Sequence, residues 1–253
     1  MPDDRPRVSF VVPAYNEERL LPACLAAIQR EIKRNGCTAE VIVVNNASTD
    51  RTKEIALAVP GVAVVDQPIK GLVQARSAGF EASRGVLVAN IDADTLLPEG
   101  WLDRVLEAFS KPQSGPRPLV VLSGPYDYYD VPRYMRAFAR AFYGMGYMTY
   151  LVNKRVLGVG SMVQGGNFVV LRDAMAAIGG ISDRFTFYGE DTDIAKRMSA
   201  VGDMTFTYAL RAQSSGRRLQ GDGMLLTGLR YGTNYVWATF FRKPFTTAWN
   251  DYR

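Results

Sequence analysis

Short apolar runs and helical periodicities alternate along the first half of the chain. Val8–Val12 is a β-branched apolar run that stops at Pro13, which predicts a buried strand. From Glu17 to Arg34, Leu20, Leu21, Leu25, Ile28 and Ile32 recur at helical spacing. Pro22 falls in the first turn of that helix, where its missing N–H costs little. The pattern continues with strands over Val41–Val44, Val62–Val65 and Val86–Ile91, and with helices over Arg51–Ala58 and Leu72–Ala82. Strand–helix–strand units of this spacing predict an α/β fold with a mainly parallel central sheet flanked by helices. Ligands in such sheets bind beyond the carboxyl ends of the strands. Here those ends carry Pro13-Ala14-Tyr15-Asn16-Glu17, Asn45-Asn46-Ala47-Ser48-Thr49-Asp50 and Asp92-Ala93-Asp94.

The second half is less regular. A helix is expected over Trp101–Phe109, then a Pro/Gly-rich loop over Lys111–Pro118, and Val120-Val121-Leu122 opens a new region. Arg133–Tyr150 is rich in Arg, Phe, Tyr and Met. Gly165-Gly166 precedes an apolar run, Phe168–Leu171, then a helix and Gly179-Gly180. Neither an internal repeat nor a linker long enough to separate two independent domains is evident.

Composition narrows the chemistry. By surface scaling, a chain of 253 residues buries roughly 73% of its unfolded surface, ample for a core without disulfide or metal staples. The two cysteines, Cys24 and Cys37, make neither a disulfide framework nor a zinc spacing. There is no histidine, which removes Ser-His-Asp and Cys-His catalysis and every His metal ligand. Acid–base work falls to carboxylates, Lys, Tyr or Cys. A net charge of +5 favours anionic partners. The polar N-terminus lacks a signal-peptide core and no apolar run reaches a membrane span, so a cytoplasmic location is the expectation.

Three clusters carry candidate chemistry. Asp92 and Asp94 end a buried apolar strand, and carboxylates two apart can share a hard cation that keeps positions for phosphates; Asp-x-Asp is also a common turn or cap. Glu190, Asp191 and Asp193 precede Ile194, Ala195 and Met198 at the start of an expected helix. Acidic residues there are stabilising by about 0.3–1 kcal/mol each, which accounts for one or two of them. With no histidine, a carboxylate of this cluster is the natural general base. Lys70 precedes the third helix and Arg76 lies within it, either as a solvated basic face or as neutralisation for a nucleotide diphosphate.

In this order, these residues resemble the family 2 glycosyltransferases of the GT-A fold, from Val8 to about Arg218. Val8-Ser9-Phe10-Val11-Val12-Pro13-Ala14-Tyr15-Asn16-Glu17 is similar to the family's opening strand and nucleotide loop. Val43-Val44-Asn45-Asn46-Ala47-Ser48-Thr49-Asp50 resembles its second-strand motif, and Asp92-Ala93-Asp94 its metal motif. Gly166-Asn167-Phe168 resembles the acceptor-side segment, and Gly189-Glu190-Asp191-Thr192-Asp193 the catalytic Glu-Asp motif. The resemblance implies a nucleotide-diphosphate sugar donor, a divalent cation (Mn²⁺ or Mg²⁺) and inversion at the anomeric carbon. It implies that Pro13, Tyr15 and Glu17 line the nucleotide pocket with Asn46 near the base. Asp92 and Asp94 would then hold ribose, metal and diphosphate, and Asp191 would be the base for an acceptor hydroxyl, with Glu190 beside it. It divides the chain into a nucleotide-binding half (1–118), an acceptor half (119–220) and a C-terminal extension (221–253). Two departures stand out. Asn46 sits where relatives often carry Asp, and the histidine that many relatives use on metal or diphosphate is missing. Arg217 and Arg218 occupy the corresponding region, and their guanidinium groups suit a diphosphate clamp.

Other readings compete. A dinucleotide-binding oxidoreductase lacks its Gly-x-Gly-x-x-Gly after the first strand, and a P-loop NTPase lacks its Gly-Lys-Ser/Thr loop. A sugar-1-phosphate nucleotidyltransferase lacks its Gly/Arg-rich loop. A nucleic-acid binder is disfavoured because the positive charge is dispersed. A catalytically inactive nucleotide-sugar or membrane-surface module with the same fold is the non-enzyme alternative. Arg133, Arg136 and Arg140 share one helical face, with Tyr134, Phe138, Ala141 and Phe142 largely on another. Tyr231–Phe245 repeats the theme with Tyr235, Trp237, Phe240 and Phe241 before Arg242-Lys243. These aromatics either pack the acceptor half, form a homodimer contact, or place the protein on an anionic membrane beside a lipid-linked acceptor.

Overall fold

A computed structural model describes residues 4–111, 117–157, 162–184, 189–221 and 223–241. β1 (Val8–Ala14), α1 (Leu21–Asn35), β2 (Ala39–Asn45), α2 (Thr52–Leu57), β3 (Val62–Asp66), α3 (Leu72–Ala82) and β4 (Leu87–Ile91) follow the alternation read from the sequence. Then come β5 (Thr95–Leu96), α4 (Trp101–Ser110), β6 (Leu119–Ser123), β7 (Tyr126–Tyr128) and α5 (Arg133–Val152), which runs on into a wider π turn, Asn153–Leu157. β8 (Asn167–Leu171), α6 (Arg172–Ala177), α7 (Glu190–Val201), β9 (Asp203–Phe206), β10 (Ala212–Ser214), α8 (Arg217–Gly221) and α9 (Met224–Phe241) complete the described chain.

Seven strands form the main sheet in the order β3-β2-β1-β4-β8-β6-β9. All neighbours are parallel except β8, which is antiparallel to both β4 and β6. Every residue of β1 is buried, as the continuous apolar run demands of a strand covered on both faces. Val8, Phe10 and Val12 face α1 and α4, where the Phe10 and Trp101 rings lie 6.2 Å apart. Val11 faces the other way, into a cluster with Ile42, Val44, Ala75, Ile194 and Met198. On that face α3 comes very close to the sheet: a Cβ at Gly79 would sit 2.2 Å from Val11 Cγ1. Only glycine permits that approach.

The first helix begins at Leu21, four residues after the expected start at Glu17. Glu17–Leu20 instead form a turn. Thr52 Oγ1 accepts the Glu17 backbone N–H at 2.7 Å, and Asp50 accepts that of Glu18 at 3.1 Å. The turn therefore carries Glu17 toward the sheet edge.

A small second sheet, β5-β10-β7, packs beyond the carboxyl edge of the main one. Its two- and three-residue strands are too short for a periodic signal. Asn167 at the start of β8 ties the two sheets together. Its Nδ2 donates to the carbonyls of Gly124 (3.0 Å) and Leu210 (2.7 Å), and its Oδ1 accepts the Trp101 indole N–H at 3.0 Å. Most of the loop over Lys111–Pro118 lies outside the described residues, as do Arg242 and Lys243.

Candidate functional site

The carboxyl ends of β1 and β4, the Gly165-Gly166 turn, the start of α7 and the β10–α8 turn enclose a cavity of about 480 Å³. Pro13, Glu17, Arg76, Asp92, Asp94, Glu190, Asp191, Arg217 and Arg218 all line it. Segments separated by up to 200 positions in sequence thus meet in one place.

β4 delivers Asp92 by ending at Ile91. Asp92 N–H donates to the Gly166 carbonyl at 3.2 Å, and its own carbonyl accepts from Thr95 N–H at 2.9 Å. The two turns lie so close that a Cβ at Gly166 would fall 2.0 Å from the Asp92 carboxyl carbon and 2.1 Å from the Tyr126 hydroxyl. Asp92 Oδ2 accepts from that hydroxyl at 3.2 Å, and Oδ1 from Arg76 Nη2 at 2.9 Å. Arg76 comes up from α3 and is 2% exposed. Its other nitrogen, Nη1, donates to Glu190 Oε2 at 3.0 Å. Arg76 therefore joins the Asp-x-Asp turn to the Glu-Asp motif at the head of α7. Glu190 is buried with its Oε1 unpaired, and burial raises its pKa. Asp191 is partly open to the cavity. Burial raises its pKa too, against hydrogen bonds from Thr192.

Asp94 has a different guanidinium. Arg217 Nη2 donates to Asp94 Oδ2 at 3.0 Å and Nη1 to Glu17 Oε2 at 3.0 Å, while Ser214 Oγ donates to Asp94 Oδ1 at 3.3 Å. Burial pushes the Asp94 carboxyl up to about 7, aided by the charges of Asp92 and Glu17 and opposed by Arg217. A buried carboxylate still short of positive charge with one guanidinium in contact suits a cation. Mg²⁺ and related ions are held by one or two carboxylates plus substrate phosphates, so this all-oxygen donor set fits one. Among the described residues no three acidic or thiol groups form a ready-made cage.

Tyr15, Asn46 and Lys70 do not line this cavity. Lys70 Nζ sits 3.8 Å from the centre of the Tyr15 ring. The Asn46 amide is bonded to backbone: Nδ2 donates to the carbonyls of Gln67 (3.1 Å) and Ile69 (2.7 Å), and Oδ1 accepts Gly71 N–H at 2.7 Å. It fixes the segment that leads into α3 and Arg76. The next residue, Ala47, has φ 58°, a left-handed conformation that costs a residue with a Cβ about 1 kcal/mol or more.

The remaining wall is largely apolar, with Thr149, Gln164, Thr227 and Asn234 as its polar members. Phe138, Phe142, Met145 and Gly146 of α5 face Gly228 and Gly232 of α9, with Met162 and Leu219 nearby. The packed face of α5 is Met135, Ala139, Tyr143 and Tyr150. Phe138 and Phe142 are half-buried and turned to the cavity, whereas Tyr134 is 66% exposed. Arg140 pairs with Asp127 at 3.1 Å. No helix among the described residues is long and apolar enough to cross a membrane. Tyr126, Ser214 and the glycines of α9 went unrecognised in the sequence because nothing local marks them. Their role comes from the second sheet and from helix packing.

The family model described as Glycosyl transferase family 2 matches residues 9–179. A dolichyl-phosphate beta-glucosyltransferase of Trichomonas vaginalis is 32% identical over 62% of this chain and 51% of its own length. An undecaprenyl-phosphate 4-deoxy-4-formamido-L-arabinose transferase of Pseudomonas paraeruginosa is 37% identical over 40% of this chain and 31% of its own. These matches span about half or less of the length of those relatives. Among solved structures, the mannosyltransferase PcManGT from Pyrobaculum calidifontis in complex with GDP-Man and Mn²⁺ shares the fold at TM-score 0.66. It is 21% identical, covering 95% of this chain and 65% of that one. S. aureus TarS 1-349 does so at TM-score 0.62 and 16% identity, over 93% of this chain and 73% of that one.

Proposed function

The chain belongs to glycosyl transferase family 2 and has the GT-A fold, and from that premise we propose that it moves a sugar, with inversion, from a nucleotide-diphosphate donor to a hydroxyl of a lipid-linked acceptor. The observation that carries the reading is convergence: Asp92, Asp94 and Asp191 line one cavity whose α5 and α9 side is largely apolar.

Pro13 and Glu17 border the donor side, with Tyr15 and Lys70 just outside the cavity. Asn46 serves the nucleotide indirectly, through the segment it holds. Asp94 and Asp92 are the residues that would hold a divalent cation, which when bound neutralises charge on the departing diphosphate. Arg217 and Arg218 are placed to take phosphate oxygens, and guanidinium groups bind these in pairs. On the acceptor side, Asp191 removes the hydroxyl proton as that oxygen bonds to the anomeric carbon. The bond from that carbon to the diphosphate oxygen breaks with its electron pair, and attack from the opposite face inverts the centre. A carboxylate whose pKa is raised is a stronger base, and burial raises that of Asp191. Thr192 N–H donates to Asp191 Oδ1 at 2.8 Å and fixes the carboxylate, while Arg76 anchors the neighbouring Glu190 at the head of α7.

The apolar wall between α5 and α9 suits the hydrocarbon part of a lipid-linked acceptor. Exposed Tyr134, Met145, Met148 and Val152 along α5, near Arg133 and Arg155, suit peripheral contact with an anionic membrane. A second reading has a phosphate acceptor, favoured by relatives whose names specify dolichyl-phosphate and undecaprenyl-phosphate. A phosphate oxygen is already anionic and needs no base, so turnover that survives Asp191→Asn would select it.

The test is nucleotide release from a panel of nucleotide sugars with Mn²⁺, offered a polyprenyl-linked or a water-soluble acceptor. Release that needs the cation and is faster with the lipid-linked acceptor supports the reading. A protein that binds a nucleotide sugar but never releases nucleotide is the inactive module instead.

A further inference from the structure

Arg217 holds a position that a simple diphosphate ligand would not need to take. It reaches from the head of α8 across the cavity to the ends of β1 and β4, and its fork contacts Glu17 twice and Asp94 once. Glu17 is 4% exposed and the Asp94 side chain 13%. Asp94 is also one of the two carboxylates to which a divalent cation would bind. The Arg217 backbone is fixed independently of this reach. Asp130 accepts Gly216 N–H at 2.6 Å and the Ser215 hydroxyl at 2.5 Å, and its carbonyl accepts Gln220 Nε2 at 2.8 Å. The guanidinium can therefore leave Asp94 by side-chain rotation while the turn stays in place.

We propose that Arg217 is a built-in cation that competes with the divalent metal for Asp94, so that metal binds the donor-free protein weakly and binds well once phosphate oxygens draw Arg217 away. The inference rests on the reading of Asp94 as a metal carboxylate and adds the residue that sets when metal is accepted. Its physical basis is the carboxylate balance. Losing Arg217 without replacement leaves Glu17 and Asp94 buried together, which is costly. A divalent ion replaces that charge at Asp94. A phosphate group offers the guanidinium an equivalent paired contact. Metal and donor then favour each other's binding by linkage. The arrangement also gives a use to arginine in a chain without histidine: an arginine cannot ligate a cation, but it can hold the place of one.

The test uses the full chain without donor or turnover. Mn²⁺ binding is measured by the electron paramagnetic resonance of free Mn²⁺ for wild type, Arg217→Gln and Arg217→Lys. Because a hydrogen-bonded charged contact must be given up in the wild type, Arg217→Gln should bind Mn²⁺ roughly tenfold or more tightly than wild type. Arg217→Lys keeps the charge but not the planar fork, and should fall between them. Adding Asp94→Asn to Arg217→Gln should abolish the gain. An Arg217→Gln protein that binds Mn²⁺ no better than wild type overturns the proposal and leaves the metal reading standing. Absence of Mn²⁺ binding in every variant overturns both. Should Arg217→Gln fail to fold, the wild type answers by Arg side-chain NMR with diamagnetic Mg²⁺. Saturating Mg²⁺ should free the slowed guanidinium rotation of Arg217, and Mg²⁺ binding with that signal unchanged contradicts the competition.

Discussion

Arg76→Met is the substitution with the most calculable consequence. Arg76 and Glu190 are each 2% exposed, and their contact is 3.0 Å. Methionine keeps an unbranched apolar stem but ends short of the guanidinium nitrogens, and it leaves Glu190 buried beside Asp191 with no counter-charge. Removing one partner of a buried pair costs about 3–5 kcal/mol, mostly through the stranded charge. The pH dependence follows from the raised pKa of Glu190. A carboxyl raised on folding favours the fold below its unfolded pKa and loses that contribution as pH rises through its folded value. Loss of Arg76 removes the charge that holds Glu190 down, so its folded pKa climbs further. The deficit of the variant should therefore be largest near pH 8 and shrink toward pH 5, where Glu190 is increasingly protonated in the fold. Urea denaturation of wild type, Arg76→Met and Arg76→Met/Glu190→Gln at both pH values measures this. The double variant should recover about 0.5–3 kcal/mol at pH 8, the range of coupling between contacting residues. A deficit below about 1 kcal/mol at pH 8, or one equal at the two pH values, would refute the argument that Glu190 is a buried charge held by Arg76.

Asp191→Asn should keep donor affinity in calorimetry and lower turnover by about 10²-fold or more, the scale of general-base catalysis. In the wild type kcat/KM should rise with pH through the Asp191 ionisation, with a midpoint above the ordinary Asp value of 3.8, and that acid limb should vanish in the variant. Gly166→Ala forces a Cβ to within 2.0 Å of the Asp92 carboxyl carbon, so it should abolish nucleotide release, as followed by a coupled phosphatase assay. Asn167→Ala strands two carbonyls and an indole N–H in the interior and should cost about 2–4 kcal/mol in the same urea assay.

The alternating apolar runs foretold β1 to β4, the four neighbouring parallel strands, but not β9, which is also parallel and whose Asp203-Met204-Thr205-Phe206 carries no continuous apolar run. They did not reveal that β8 runs antiparallel, since direction leaves no mark on composition. The carboxylates Asp92, Asp94, Glu190 and Asp191 were legible as clusters at strand and helix ends, and they meet in one cavity. Their partners were not. That Arg76 spans from Asp92 to Glu190, or Arg217 from Glu17 to Asp94, depends on segments more than 100 positions apart. Asn46 could be singled out by position, yet its amide is spent on a neighbouring backbone segment, which spacing alone cannot show. The aromatics of Arg133–Tyr150 divide between a packed face, the cavity wall and solvent. The helical arrangement was readable, but which face meets which neighbour is set by α9 and the second sheet.

The most direct test of the account is nucleotide release from the preferred donor by wild type and Asp94→Ala, each with Mn²⁺ and with excess chelator. The account predicts release by wild type with Mn²⁺, loss of it with chelator, and no release by Asp94→Ala under either condition. Full release by Asp94→Ala, or by wild type in chelator, would contradict the claim that Asp94 and a divalent cation together carry the departing diphosphate.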